Sequence, residues 1–84
     1  MDLIVSTAAL KGLARMPKHD QRAMREKLET FARDPYAPHA WAKRLVGTKA
    51  VRVRHGDWRA ICDVDGKALV VAVEKVGNRK EVYQ

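Results

Sequence analysis

The sequence predicts an α+β domain in the order β-α-α-β-β-β, an antiparallel sheet with two helices packed on one face. Three observations carry this. Residues 51–55 alternate apolar and basic, Val51 and Val53 against Arg52 and Arg54, which is the period of a half-buried strand. Two further strand-like runs, 58–64 and 68–73, are set off by Gly56-Asp57 and Asp65-Gly66. Asp-Gly is among the strongest short hairpin signals, because both central residues take positive φ. Ahead of this meander lie two stretches whose apolar residues recur at helical spacing.

Taken in order, residues 3–5 (Leu-Ile-Val) form a short first strand, and Ser6 or Thr7 supplies an N-cap. A first helix runs over about 7–16, with Ala9, Leu10, Leu13 and Met16 at helical spacing, and Pro17 ends it. Asp20 caps a second helix reaching about Arg33, whose stripe is Met24, Leu28, Phe31 and Ala32. Arg22, Arg25, Glu26, Lys27 and Glu29 fall off that stripe and read as a solvated face. Residues 34–39 are a loop held irregular by Pro35 and Pro38, with Trp41 and Leu45 anchoring its far end. The meander follows, then a bend at Gly77-Asn78 and a short terminal segment.

With two-residue loops at both turns, His55 faces Trp58, Arg54 faces Arg59 and Arg52 faces Ile61. Across the second turn Arg59 faces Ala72, Ala60 faces Val71 and Cys62 faces Leu69. One face then carries Val51, Val53, Ala60, Cys62, Val64, Leu69, Val71 and Val73, a core face. The other carries Arg52, Arg54 and Arg59 around Ile61, Val70 and Ala72. Like charges directly opposite on neighbouring strands are unfavourable, cross-strand pairs being worth roughly 0.2–1 kcal/mol. An anionic ligand between Arg54 and Arg59 would remove that penalty, so the pattern points to a phosphate-binding surface.

A chain of 84 residues is expected to be one domain, 1–84, and buries only about 60–65% of its unfolded surface. Lys+Arg 17 against Asp+Glu 10, a formal net charge of +7, favours nucleic acid, an anionic surface or an acidic protein partner. The single Cys62 cannot close an internal disulfide and falls on the core face, so the cytoplasm is the expected compartment. His19, His39 and His55 show no ligand spacing, and no metal or other cofactor is expected. No apolar run approaches a membrane span, and the start lacks the basic region of a signal peptide.

Arginines suit nucleic acid because guanidinium binds phosphate oxygens bidentately. Arg52, Arg54, Arg59 and Arg79 are the phosphate candidates, with Tyr83 as an aromatic that can stack on an unpaired base; Trp58 falls on the core side. Lys43, Arg44, Lys49 and Lys80 add charge around them. Cleaving RNA through attack of a 2′-OH needs a base, charge stabilisation and an acid. Only the stabilisation is obvious here. His55 sits at the hairpin tip with its parity toward the other face, and Glu81 and Tyr83 are the remaining candidate bases.

The segments RVRHGDWRAI (52–61), DVDG (63–66) and VGNRKEVY (76–83), with DPY (34–36) and KRLVG (43–47) upstream, resemble the RelE/ParE toxin superfamily of type II toxin–antitoxin modules. GDWR and GNRKEVY are the most specific pieces, and the resemblance covers nearly the whole chain. It implies a fold like that of microbial ribonucleases. For the RelE branch it implies a metal-independent endoribonuclease that cuts mRNA in the ribosomal A site and blocks translation. Carried over by motif, Arg59 and Arg79 would stabilise the scissile phosphate, and Arg52 and Arg54 occupy the strand of basic catalytic residues. Tyr83 would orient or deprotonate the 2′-OH, or stack on a base. Lys43, Arg44, Lys49, Lys80 and His55 would contact RNA or the ribosome. Some relatives carry lysines on the strand where this chain has Arg52 and Arg54. Arginine is a poor proton donor, so the general acid stays open. The ParE branch implies instead a non-nuclease toxin that poisons DNA gyrase, and a third alternative is a degenerate toxin that keeps only antitoxin binding. All three imply a cognate antitoxin, expected to be acidic in its binding segment.

Overall fold

The computed structural model describes residues 1–82. Its elements are β1 (Asp2–Val5), α1 (Thr7–Ala14), α2 (Lys18–Arg33), β2 (Ala42–Arg44), β3 (Ala50–His55), β4 (Trp58–Asp65) and β5 (Val70–Asn78). The strands form one sheet in the order β1-β5-β4-β3-β2, with both helices on one face. The α+β class and the two-helix layer are as the sequence predicts.

Ser6 caps α1, its Oγ accepting from the Ala9 amide at 3.0 Å. The helix stops at Ala14, two residues short of the predicted end, yet Met16 remains in the core at 3% exposure. α2 begins at Lys18 behind Pro17, with no side-chain cap. Asp20, expected as the cap, lies inside the first turn, where a carboxylate still favours the helix N-terminus. The predicted stripe of Met24, Leu28, Phe31 and Ala32 is buried.

Three features of the sheet differ from expectation. β1 runs parallel to β5, pairing Ile4 with Ala72 and Val5 with Val73, so the sheet is mixed. The two helices carry the chain back from the end of β1 before the meander starts, which returns the last strand in the same direction. Ala42–Arg44 form an extra edge strand, antiparallel to β3. The β4–β5 turn is longer than a two-residue loop, since Asp65 pairs with Val70. The Asp65 Oδ1 accepts from the amides of Lys67 and Ala68, both at 3.0 Å, so its side chain stabilises a wider turn. Leu69 closes that turn at φ 58 and is 59% exposed, instead of joining the core.

Arg59 therefore faces Gly77, Ala60 faces Val76 and Cys62 faces Val73, in place of the predicted Ala72, Val71 and Leu69. A bulge opposite Ile61/Cys62, at Glu74, breaks the alternation and turns Val76 inward. The core is otherwise the predicted set, with Val51, Val53, Ala60, Cys62, Val71 and Val73 buried under the helix stripes. Trp58 packs partly buried against it, on the side the parity indicated. Burial, then the charges of Asp63 and Glu74, push the Cys62 thiol up to about 12. The native protein is accordingly expected to resist a thiol reagent at pH 8 and to react at once in denaturant, because thiolate is the reactive form. Rapid labelling of the folded protein would contradict the burial.

Among the described residues, no helix is long and apolar enough to cross a membrane.

Candidate RNA-binding face

The sheet face away from the helices is built by cross-strand register. Lys43, Arg52, Ile61 and Lys75 line up in one row across β2, β3, β4 and β5. Arg54, Arg59 and Gly77 form the next row toward the β3–β4 turn. The predicted first hairpin register is observed throughout, with Arg54 directly opposite Arg59 and Arg52 opposite Ile61. Arg54 is exposed, while Arg52 and Arg59 are half-buried. Arg59 Nη1 donates to the carbonyls of Gly56 at 2.6 Å and Trp58 at 3.1 Å, which pins the guanidinium over the hairpin tip. The Nε of Arg52 is buried without a hydrogen-bond partner among the described residues.

The terminal turn completes this end. The Arg79 amide donates to the Asp57 carbonyl at 2.8 Å, tying the turn to the hairpin tip. Asp57, Asn78, Arg79 and Lys80 line a concavity of about 380 Å³. The chain then folds back over β5, with Val82 buried at 6% exposure. Glu81 and Val82 come within 3.8 Å of the place where a Cβ on Gly77 would stand, so residue 82 ends beside the cross-strand partner of Arg59. Tyr83 lies outside the described residues. Glu81 pairs with Arg15 at 3.4 Å, an exposed ion pair of small energetic weight.

Three of the sequence-selected residues are not on this face. His55 points to the helices: its Nε2 meets Asp20 Oδ1 at 3.0 Å and its Nδ1 meets Lys27 Nζ at 3.3 Å. Lys27 Nζ also donates to the Arg54 carbonyl at 3.0 Å. An ammonium can only donate, so Nδ1 is the acceptor and Nε2 carries the proton given to Asp20. Desolvation, then the Arg54 charge, lower the Lys27 pKa. The cluster ties the tip of β3 to α2, and removing it with Asp20→Ala is expected to lower stability by about 1 kcal/mol in urea denaturation. Unchanged stability would mean that the contact adds nothing. Arg44, paired with Val51, lies on the helix side of edge strand β2, and Lys49 sits just before β3 near the same edge.

Sequence parity missed two contributors. Lys75 shares the parity of Val71 and Val73, and only the bulge turns it to the open face. The same bulge sets Glu74 beside Asp63. The Glu74 carboxyl is raised above its usual range by a side-chain hydrogen bond with Asp63, then by the Asp63 charge and by burial. These carboxyl groups bound the basic face on the side toward Ile4 and Ala72. Among the described residues, no group of three or more His, Cys, Asp or Glu is placed to hold a metal ion.

The sheet is thus basic on its open face and covered by two helices on the other. Residues 3–83 match the family model described as ParE toxin of type II toxin-antitoxin system, parDE, and the chain belongs to that family within the RelE/ParE superfamily. Its fold is similar to the archaeal RelE of a RelE-RelB complex from Pyrococcus horikoshii OT3, with TM-score 0.80, 25% identity, and coverage of 96% of this chain and 97% of that one. The isolated E. coli RelE toxin is similar at TM-score 0.78 and 24% identity, covering 98% and 89%. A chain of the Mycobacterium tuberculosis RelBE2 toxin-antitoxin complex matches at TM-score 0.77 and 21% identity, covering 93% and 96%. No curated protein sequence matches significantly.

Proposed function

We propose that this toxin is a ribosome-dependent endoribonuclease that cuts mRNA by attack of a 2′-OH on the adjacent phosphate. The observation that supports it best is the juxtaposition of Arg54 and Arg59 across β3 and β4, with Arg52 and Lys43 in the neighbouring row. Such a concentration of cations on one small open face destabilises the free protein and favours a polyanion. A phosphate between Arg54 and Arg59 converts repulsion into two charge-assisted contacts. As negative charge builds on the phosphorane, the same guanidinium groups stabilise it more strongly than they do the bound phosphodiester. Arg59 is preorganised for this by its bonds to Gly56 and Trp58. Arg79 and Lys80 approach from the terminal turn, and Tyr83, one residue beyond buried Val82, is assigned to the 2′-OH or to a stacked base. The described residues hold no evident acid–base pair on this face, so the ribosome would supply much of the alignment.

A second reading is favoured by the match to the ParE-toxin model: a ParE-type toxin that poisons DNA gyrase through protein contact, as the superfamily resemblance implies. In either case, as in the RelE-RelB and RelBE2 complexes, a cognate antitoxin is the expected partner. With the chain at +7, its binding segment would be acidic.

In vitro translation with mapped mRNA ends separates the readings. Cuts that require ribosomes, and that fall at least ten-fold in Tyr83→Phe, support the nuclease. Intact message under an active toxin would overturn it, and a gyrase cleavage-complex assay would then test the second reading.

A further inference from the structure

We propose that the cleft under Tyr36 is a second nucleic-acid subsite, taking one unpaired nucleotide of a single-stranded RNA whose neighbouring phosphates lie on the arginine face. It rests on the RNA-cleaving reading. The 34–41 loop is braced before any ligand arrives. The His39 ring stacks on Trp41 with centroids 4.6 Å apart and meets Phe31 edge-on at 6.1 Å. Its Nε2 lies 3.0 Å from the Asp34 carbonyl oxygen. This bracing holds Tyr36 out between two prolines at 68% exposure, a large ring surface left in water. The hydroxyl end of that ring rests over the β4–β5 turn, where a Cβ on Gly66 would meet it at 2.7 Å.

Two adjoining cavities open beneath the ring and share Pro35, Tyr36, Arg44 and Val51. The larger is about 310 Å³, at the lower end of the range that holds small planar ligands. The other, about 220 Å³, has Lys49 at its edge. A stacking aromatic over a cleft, with a guanidinium and an ammonium beside it, is the chemistry that recognises an unpaired base and its phosphate. Edge strand β2 supplies the route. Lys43 sits on the open face opposite Arg52, and the next residue, Arg44, on the helix side opposite Val51. A polyanion leaving the arginine face over this edge meets a cation at each step.

The test is fluorescence anisotropy at low salt, with the full chain, a labelled single-stranded RNA of about twelve nucleotides and one of about three, sizes spanning typical single-strand sites. Tyr36→Ala is expected to weaken the longer RNA about ten-fold, within the range for loss of one stacked base, and to leave the shorter one unaffected. Tyr36→Phe should bind like wild type, since the ring face is what stacks. Arg52→Ala should weaken both lengths. Because Tyr36 is exposed, Tyr36→Ala should melt at the wild-type temperature. Equal affinity of Tyr36→Ala and wild type for the longer RNA would overturn the subsite and leave the nuclease reading intact. Loss with Tyr36→Ala but none with Arg52→Ala would support the subsite and count against the arginine face. No RNA binding by the wild type would overturn both. Unchanged RNA affinity beside weakened grip on the purified cognate antitoxin would make the cleft a protein contact and overturn the proposal.

Discussion

Arg59→Ala is expected to lower ribosome-programmed mRNA cleavage by two to three orders of magnitude, the usual loss when one donor aimed at developing negative charge is removed. Arg54→Ala should also lose activity, with a second effect of opposite sign. Arg54 faces Arg59 across the hairpin, and, after desolvation, its charge lowers the pKa of Lys27. Deleting it removes like-charge contacts of roughly 0.2–1 kcal/mol, so the inactive variant should be slightly more stable in urea than the wild type. Cleavage is read as mapped mRNA ends per ribosome, and stability as the denaturation midpoint. An Arg54→Ala protein that cuts normally would remove the residue from the mechanism. One that loses both activity and stability would make it a structural residue. A gain of stability on loss of function is the signature of strain kept for a ligand.

Gly12→Ala is expected to be the most damaging single methyl in the chain. Alanine is the better helix former by about 1 kcal/mol, so an isolated helix would favour the change. Here α1 lies directly on β5. A Cβ on Gly12 would stand 1.8 Å from the Val76 carbonyl oxygen, 2.7 Å from its carbon and 3.0 Å from its Cβ. Two of these atoms are backbone in a paired strand and cannot swing aside. The helix must lift, loosening the core cluster that Ala9, Leu13 and Val76 share, which is small to begin with. A net loss of about 3 kcal/mol is expected, which in a domain of this size corresponds to a fall in Tm of roughly 15 °C. A melt within a few degrees of wild type would show that α1 can shift without cost. Gly77, by contrast, has no neighbour within 3.4 Å of an added Cβ and should tolerate alanine far better.

These two positions show where sequence reasoning was strong and where it had nothing to work on. Arg54 opposite Arg59 was legible because a two-residue turn between short alternating strands leaves one register, and alternation then assigns every side chain to a face. Gly12 was not legible, since its meaning lies in a strand sixty-odd residues away. Leu69 was misplaced and Lys75 was not selected, each because of a local backbone event. The Asp65 side chain widened one turn, and the bulge at Glu74 reversed parity, so two local backbone events moved residues between faces that composition cannot distinguish. His55, selected as an RNA contact, is instead committed to Asp20 and Lys27 on α2, partners supplied by packing.

By itself, the sequence determined the α+β class, both helix stripes, the first hairpin and the basic character of one sheet face. Each of these rests on spacing between residues close along the chain, where periodicity and turn chemistry act. Only the tertiary structure decided the parallel edge strand β1, the extra strand β2, the register of β5 and the division of the cations between the two faces. Those depend on contacts between segments distant in sequence, whose outcome is set by which backbone groups pair and which side chains fit when the layers close.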